Sequence, residues 1–174
     1  ISVMLGILNE EPCQITCQGA DYLSDGIADV TMSQFVFPSG VHAHIFVSWL
    51  HPLKEQKLVV IGTEKMAVFD DTATNKLIVY PHRIEWKNRI PTAVKAEGEV
   101  IPLEMVEPLY AECQHFIKCI EERSKPVTDG DEGVRVLKIL EECQRSLEHG
   151  KESISHARKK SEKKYFVHET AVID

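Results

Sequence analysis

The chain has 174 residues, of which 43% are hydrophobic and 27% are charged, proportions that suit one soluble domain with a sizeable core. Its formal net charge of −7 argues against a nucleic-acid partner, because phosphate binding needs a basic surface. No apolar run approaches the roughly 20 residues of a membrane span. Five cysteines without a CxxC spacing favour reduced thiols in a cytoplasmic protein over a disulfide framework.

The first elements in chain order are a short helix and a strand. Residues 1–8 have the apolar character of the end of a helix, and Asn9 is a suitable residue to terminate it. Because this helix begins without a capping residue or an initiator Met, we expect another segment to precede Ile1 in the native protein. Residues 12–22 predict a strand in which Gly19 marks a bulge, and Ser24-Asp25-Gly26 predicts a turn.

The strongest strand pattern runs from Gly26 to Asp71, which we interpret as three or four antiparallel strands. Odd positions from Val41 to Trp49 are all apolar, whereas even positions from His42 to Leu50 are mixed. Side chains alternate between the two faces of a strand, so we expect the odd positions to face a core. Pro38-Ser39-Gly40 predicts the turn before this strand, and His51-Pro52 predicts its end.

Shorter β-rich segments follow. Residues 57–61 and 66–69 predict two strands joined by a turn at Gly62-Thr63-Glu64, and residues 76–80 and 82–87 predict two more. Residues 89–102 contain Pro, Gly and charge without a clear period, and they predict mostly surface loop.

Two helices close the pattern. Glu107–Arg123 predicts one, with Pro108 at its first position, and residues 130–149 predict the other, opened by an Asp129/Glu132 capping box and ended by Gly150. The expected core-facing stripes are Leu109, Cys113, Phe116, Ile117 and Ile120 on the first helix and Val136, Leu137, Leu140, Cys143 and Leu147 on the second. Strands first and helices last predict an α+β fold: an open, largely antiparallel sheet with two C-terminal helices packed on one face.

Two histidine patterns were considered as metal sites. His42 and His44 share one face of a strand, with His51 nearby, but no Cys or carboxylate spacing accompanies them, and zinc needs three or four ligands. Glu112 and His115 form one E-x-x-H motif, whereas a di-iron site needs two on facing helices. A polar sheet face, or imidazoles that line a partner interface, explains the histidines, and a solvated helix face explains the E-x-x-H motif, so no metal site is predicted.

No motif for dinucleotide binding, nucleotide hydrolysis or acyl transfer occurs: the chain lacks GxGxxG, a P-loop and GxSxG. From the residues alone, we therefore predict no catalytic residue and no cofactor-binding residue in this chain.

Two runs resemble a known family. Ser48–Asp71 reads SWLHPLKEQKLVVIGTEKMAVFDD, and His115–Leu147 reads HFIKCIEERSKPVTDGDEGVRVLKILEECQRSL. Together they resemble the C-terminal α/β domain of NAD(P)-dependent oxidoreductases of the glucose–fructose oxidoreductase/inositol dehydrogenase (Gfo/Idh/MocA) family. Within it, the resemblance is to nucleotide-sugar 3-dehydrogenases that act on UDP-N-acetylglucosaminuronate-like sugars.

The resemblance implies a two-domain parent. An N-terminal Rossmann domain would bind NAD(P) and carry the catalytic Lys, and the catalytic His would precede the helix that begins here at Ile1. This sequence lacks all three, so residues 1–156 would be a truncated substrate and oligomerisation domain that is inactive alone.

Two further segments complete the expected organisation. Residues 157–164 form a charged linker. Residues 165–174, YFVHETAVID, resemble the first coil of a left-handed β-helix acyltransferase, which would make the parent a fusion of two sugar-modifying enzymes.

For the family's substrate we expect His51 and Lys54 as contacts, since a lysine can hold a phosphate or carboxylate as a point charge. The open sheet face is expected to bury against a second copy, because an uncovered apolar face favours association. The alternative is a dimerisation or scaffold module without any ligand.

Overall fold

The computed structural model describes residues 1–81, 83–94, 96–104 and 106–158. The chain divides into two compact units: the first combines Ile1–Leu50 with the chain from Val127 onward, and the second is His51–Pro126. The predicted acyltransferase-like tail, and the predicted linker after residue 158, lie outside the described residues.

Three helices and nine strands are described. The helices are α1 (Ser2–Leu8), α2 (Pro108–Glu122) and α3 (Gly130–Arg158). The strands are β1 (Gln14–Ala20), β2 (Val30–Val36), β3 (His42–Ser48), β4 (Lys57–Ile61), β5 (Met66–Asp70), β6 (Leu77–Tyr80), β7 (Arg83–Lys87), β8 (Ile90–Val94) and β9 (Glu99–Val100). Every described strand pair is antiparallel, so the predicted α+β class with open antiparallel sheets is confirmed.

The first unit is a three-stranded sheet, in the order β1-β2-β3, with one face covered by helices. Phe35 on β2 lies between Ile15 on β1 and Ala43 on β3. This row faces a core whose fully buried members are Leu5, Phe35, Phe37 and Ile139. Helix α3 packs against β1, and α1 supplies Leu5, so the two helices and the sheet share one hydrophobic core.

The odd positions of β3 only partly match the predicted core face. Ala43 and Ile45 pack against the core as expected, but Val41, Val47 and Trp49 are exposed, Trp49 by 81%. The prediction was wrong for these three: Val41 and Trp49 lie outside β3, and the core cluster includes only Ala43 and Ile45 from this strand.

The β-rich run from Gly26 to Asp71 is not continuous. Its first strands belong to the three-stranded sheet, and β4 and β5 begin a separate sheet in the second unit. Pro52 lies in the intervening loop, where its missing N–H cannot interrupt a ladder.

Gly19 is not at a bulge, contrary to the sequence prediction. It pairs with Thr31 in an unbroken β1–β2 register. A Cβ at this position would lie 2.7 Å from the carbonyl oxygen of Val30 and 2.9 Å from Cδ1 of Leu147. The glycine is therefore explained by the close approach of α3 to the sheet.

The helix ends follow the predicted signals at three of four places, and α2 begins at Pro108 as predicted. Asn9 ends α1 in the left-handed conformation and donates its N–H to the carbonyl of Leu5 at 2.8 Å. Asp129 Oδ1 accepts from the N–H of Glu132 at 2.9 Å, as a capping box requires. Gly150 does not end α3, which continues to Arg158 and includes the first two residues of the predicted linker. A Cβ on Gly150 would lie 3.7 Å from the carbonyl oxygen of Cys17, so this glycine lies over β1.

The apolar stripes of both long helices were wrongly assigned in part. On α3, Val136, Cys143 and Leu147 face the core as predicted, but Leu137 and Leu140 are exposed, and Ile139 is buried instead. On α2, the residues of the predicted stripe are exposed, and Cys119 is buried instead. The five exposed members are Leu109, Cys113, Phe116, Ile117 and Ile120.

The second unit contains a four-stranded sheet, in the order β4-β5-β6-β9, and a two-stranded hairpin, β7-β8. The prediction of loop for residues 89–102 was wrong, because β8 and β9 lie there. Asn88 and Arg89 form the hairpin turn with φ of 51° and 63°. Two consecutive positive φ values are typical of a tight hairpin turn, but Asn-Arg lacks the glycine that usually signals one.

A buried carboxylate organises one end of the three-stranded sheet. Asp29 is buried, and its Oδ2 accepts the N–H groups of Tyr22 and Leu23 at 2.6 and 2.8 Å. Its own N–H donates to the carbonyl of Ala20, and its carbonyl accepts from the N–H of Trp49, both at 2.8 Å. One residue thereby ties the loop after β1 to the ends of both outer strands.

Candidate functional site

The two predicted substrate residues, His51 and Lys54, lie in the loop between β3 and β4. Both side chains are exposed, and neither belongs to a helix or strand. The structure therefore places them on one short loop, where each is held by a different contact.

His51 is oriented by its own loop. Its Nδ1 lies 2.8 Å from the carbonyl oxygen of Leu53. A carbonyl oxygen only accepts, so Nδ1 carries the proton in this bond, and a neutral ring presents Nε2 as an acceptor. Such a nitrogen can accept a hydrogen bond from a ligand hydroxyl group.

Lys54 forms an ion pair with Asp71, at the end of β5, with 3.8 Å between Nζ and Oδ2. The other oxygen of Asp71, Oδ1, accepts a 2.7 Å hydrogen bond from Nζ of Lys76. Two ammonium groups thus share one carboxylate, and the trio carries one net positive charge. The Lys54 side chain is 70% exposed, so it can turn toward an anionic ligand without being desolvated first.

The neighbouring Asp70 is held in a turn. Its Oδ1 accepts the hydroxyl of Thr72 at 2.7 Å and the N–H of the same residue at 3.0 Å, and Lys57 lies 3.2 Å from its Oδ2. The Thr72 hydrogen bonds, followed by the bond and charge of Lys57, hold the pKa of Asp70 below its usual value. The hydrogen bond and charge of Lys76, with a smaller contribution from Lys54, lower the pKa of Asp71. Both carboxylates are consequently ionised near neutral pH.

The sequence analysis missed Asp71 and Lys76 as partners of Lys54. The Asp70-Asp71-Thr72 run carried a usable signal, since Asp followed two residues later by Thr is typical of a side-chain-capped turn. The contact of Lys54 with that turn depends on how β4 and β5 pair, which the local sequence pattern does not determine.

A second candidate site is the sheet face of the first unit that the helices leave uncovered, here called the outer face. Strand alternation from the register places twelve side chains on it: Gln14, Thr16, Gln18, Ala20, Val30, Met32, Gln34, Val36, His42, His44, Phe46 and Ser48. None is Asp, Glu, Lys or Arg, in a chain that is 27% charged. Met32 and Phe46 are paired in register and are 46% and 58% exposed. An exposed face of this kind is typical of a protein contact.

Metal and membrane sites were also considered. Within the described ranges, no group of three or more His, Cys, Asp or Glu side chains could hold a metal ion. Among those same residues, no helix combines the length and the apolar character needed to cross a bilayer.

Comparison with solved structures identifies similar folds. UDP-N-acetylglucosamine 3-dehydrogenase GnnA from Acidithiobacillus ferrooxidans matches with a TM-score of 0.71 and 19% identity, over 86% of this chain and 45% of that one. Aldose-aldose oxidoreductase from Caulobacter crescentus matches with a TM-score of 0.64 and 19% identity, over 86% and 43%. An NAD-binding protein from Listeria innocua matches with a TM-score of 0.62 and 17% identity, over 85% and 47%.

These matches confirm the predicted resemblance in fold to oxidoreductases of the Gfo/Idh/MocA type. The chain spans less than half the length of each of these three structures. No protein-family model and no curated protein matches the sequence. What is established is therefore a fold similar to part of these oxidoreductase structures.

Proposed function

We propose that this chain is the substrate-binding and oligomerisation domain of an NAD(P)-dependent sugar dehydrogenase whose substrate is a nucleotide sugar. The observation that carries the proposal is the fold match over 86% of the chain to less than half of a UDP-N-acetylglucosamine 3-dehydrogenase. The match in one half of an enzyme suits a domain that holds a substrate while another domain holds the cofactor.

In such an enzyme, the part outside this chain would bind NAD(P). Dinucleotides bind at the Gly-rich turn of a parallel βαβ unit. The described strand pairs are all antiparallel, and the sequence has no GxGxxG, so the residues present do not fit NAD(P). We expect this chain alone to bind no NAD(P) and to have no dehydrogenase activity.

Lys54 is proposed to contact the diphosphate of the nucleotide sugar, and His51 a hydroxyl group. Asp71 holds the Lys54 ammonium at 3.8 Å on one side, and Lys76 compensates most of the charge of that carboxylate. The pair with Asp71 is exposed and hence weak, so a dianionic diphosphate can compete for the ammonium. The Nε2 acceptor of His51 suits a sugar hydroxyl.

The test of this contact is calorimetric titration of the chain with UDP-N-acetylglucosamine. Lys54→Ala should weaken binding by about tenfold, because one charged contact to phosphate contributes on the order of 1.4 kcal/mol. Lys118→Ala is a matched control, since Lys118 is 66% exposed and pairs with Glu122 at 3.9 Å on α2. Equal affinity of the wild type, Lys54→Ala and Lys118→Ala would contradict the proposed contact.

Oligomerisation is proposed to use the outer face. Burial of Met32 and Phe46 against a second copy removes apolar area from water, and no charged side chain on the face has to be desolvated. Phe46→Glu should abolish the dimer in analytical ultracentrifugation, because it places a carboxylate within the buried contact. Phe116→Glu is the matched control, since Phe116 is similarly exposed but lies on α2.

The alternative function is a scaffold or dimerisation module without a ligand. The uncharged outer face favours it as well, because that face requires no nucleotide sugar. A chain that dimerises through Phe46 but shows no heat of binding with any UDP-sugar would support the scaffold over the substrate domain.

We also propose a cytoplasmic location. All five cysteines are free thiols, which is typical of a reducing compartment. Burial, reinforced by Cys17, raises the pKa of the Cys143 thiol to about 12, which keeps it protonated and unreactive on the core-facing side of α3.

A further inference from the structure

The outer face contains one kind of titratable side chain, histidine. His42 and His44 lie on it, two residues apart on β3, and both are exposed. Histidine is the residue type on which pH-dependent protein contacts are commonly built.

The in-register neighbours of both imidazoles on β2 and β1 are uncharged. In register, His42 lies beside Val36 and then Gln14, and His44 lies beside Gln34 and then Thr16. These neighbours provide amides, a hydroxyl and an apolar side chain, and the helices pack on the opposite face.

Two other titratable groups are located at this end of the sheet. The thiol of Cys13 donates to the carbonyl of Val36 at 3.3 Å. The carboxylate of Glu10 accepts the N–H of Ser39 at 3.1 Å, in the turn before β3. The hydrogen bond holds the Glu10 carboxylate at that turn, outside the register rows of the outer face.

We propose that His42 and His44 make self-association through the outer face dependent on pH, with the dimer formed when they are neutral and weakened when they are protonated. The proposal rests on the oligomerisation proposed above and adds its regulation. Two copies related by a twofold axis would bring four imidazoles into one contact.

The direction of the pH effect on the dimer follows from the desolvation of the imidazoles and from the repulsion between them. A charged imidazolium loses its hydration when it is buried, and like charges from the second copy add repulsion, so the dimer favours the neutral form. Association is then complete at pH values where the free chain has neutral imidazoles, and it weakens as the free chain takes up protons on acidification.

The experiment is sedimentation analysis of the full 174-residue chain at pH 7.5 and 5.5. The dimer Kd of the wild type should rise by about tenfold or more at the lower pH. The His42→Gln/His44→Gln variant should change by less than about twofold, because Gln stays neutral and matches Gln14, Gln18 and Gln34 on the same face. His149→Gln, on exposed α3 surface, should behave as the wild type does.

The outcomes separate the two proposals. If the wild-type dimer Kd is the same at both pH values, the proposed pH dependence is overturned and the oligomerisation is not. The same holds if the dimer Kd of the double variant rises at pH 5.5 as much as that of the wild type. A chain that is monomeric at pH 7.5 would overturn both. Circular dichroism at each pH verifies folding, and if the double variant does not fold, each single variant should retain a smaller part of the wild-type pH effect.

Discussion

The two units differ in how they bury their hydrophobic residues. The first unit has a closed core of fully buried side chains from α1, β2 and α3 and the segment following β2. In the second unit, Cys119 is the one buried hydrophobic residue among those described, and β5 and β6 are half-buried along their whole length. The first unit is therefore stabilised by its own interior, whereas the second exposes the apolar side chains with which globular domains usually form contacts.

The same difference extends to polar interactions. The first unit buries the Asp29 carboxylate with two backbone donors, and the second places Asp70 and Asp71 at its surface with lysine partners. Buried, fully paired carboxylates contribute specific structure, and exposed pairs contribute little stability. Stability should consequently be concentrated in the first unit and ligand-accessible charge in the second.

The largest expected effect compares two phenylalanines. Phe35→Ala should lower the free energy of unfolding by about 3–5 kcal/mol, because Phe35 is 1% exposed and its loss leaves a cavity. Phe116→Ala, at a side chain that is 63% exposed, should change it by less than about 0.5 kcal/mol. Urea denaturation of both variants measures the difference, and similar losses would mean that the second unit has a core of its own.

A smaller effect compares two glycines of the first unit. Gly19→Ala should cost about 1–3 kcal/mol, since the new Cβ would meet the backbone oxygen of Val30, which cannot move without disturbing the β1–β2 ladder. Gly133→Ala has open space around its Cβ and should stabilise α3 by up to about 1 kcal/mol. Thermal unfolding of the two variants separates close packing from helix propensity, and a neutral Gly19→Ala would contradict the close approach of the Val30 carbonyl to position 19.

The smallest effect concerns the exposed carboxylates of the second unit. Lys76→Ala should raise the pKa of Asp71 toward its ordinary value of 3.8, and Lys54→Ala should raise it less, because Lys76 is the larger cause of the lowering. The ion pairs are thus complete above pH 3.8 and are lost as the pH falls below it. Carboxyl NMR titration measures the shifts, and a larger effect of Lys54→Ala would reverse the assigned order.

Local patterns in the sequence predicted much of this structure. The Asn9 terminator, the Asp129/Glu132 cap and most strands depend on neighbouring residues, and they were predicted correctly. Gly19 and Gly150 were misinterpreted because their role also depends on Leu147 and Cys17, which lie more than a hundred positions away from them in the chain. Helical spacing alone could not distinguish Ile139 from Leu140, since each lies three or four residues from both Val136 and Cys143.

For the candidate site, the sequence could predict which residues lie on the loop but not which side chains they contact. The sequence placed His51 and Lys54 between two strands, where the structure also has them. Asp71 becomes a partner of Lys54 through the pairing of β4 with β5, a property of the whole sheet. The proposed substrate contact of both residues stays a prediction until ligand binding is measured.

The buried Asp29 has a practical consequence for labelling. Its carboxylate fixes Tyr22 and Leu23, and its backbone fixes both strand ends, so the tip of the loop at residues 24–27 is anchored from both sides. A short peptide tag or a fluorophore attached at Asp25 would leave the anchors in place. It would report from the margin of the three-stranded sheet.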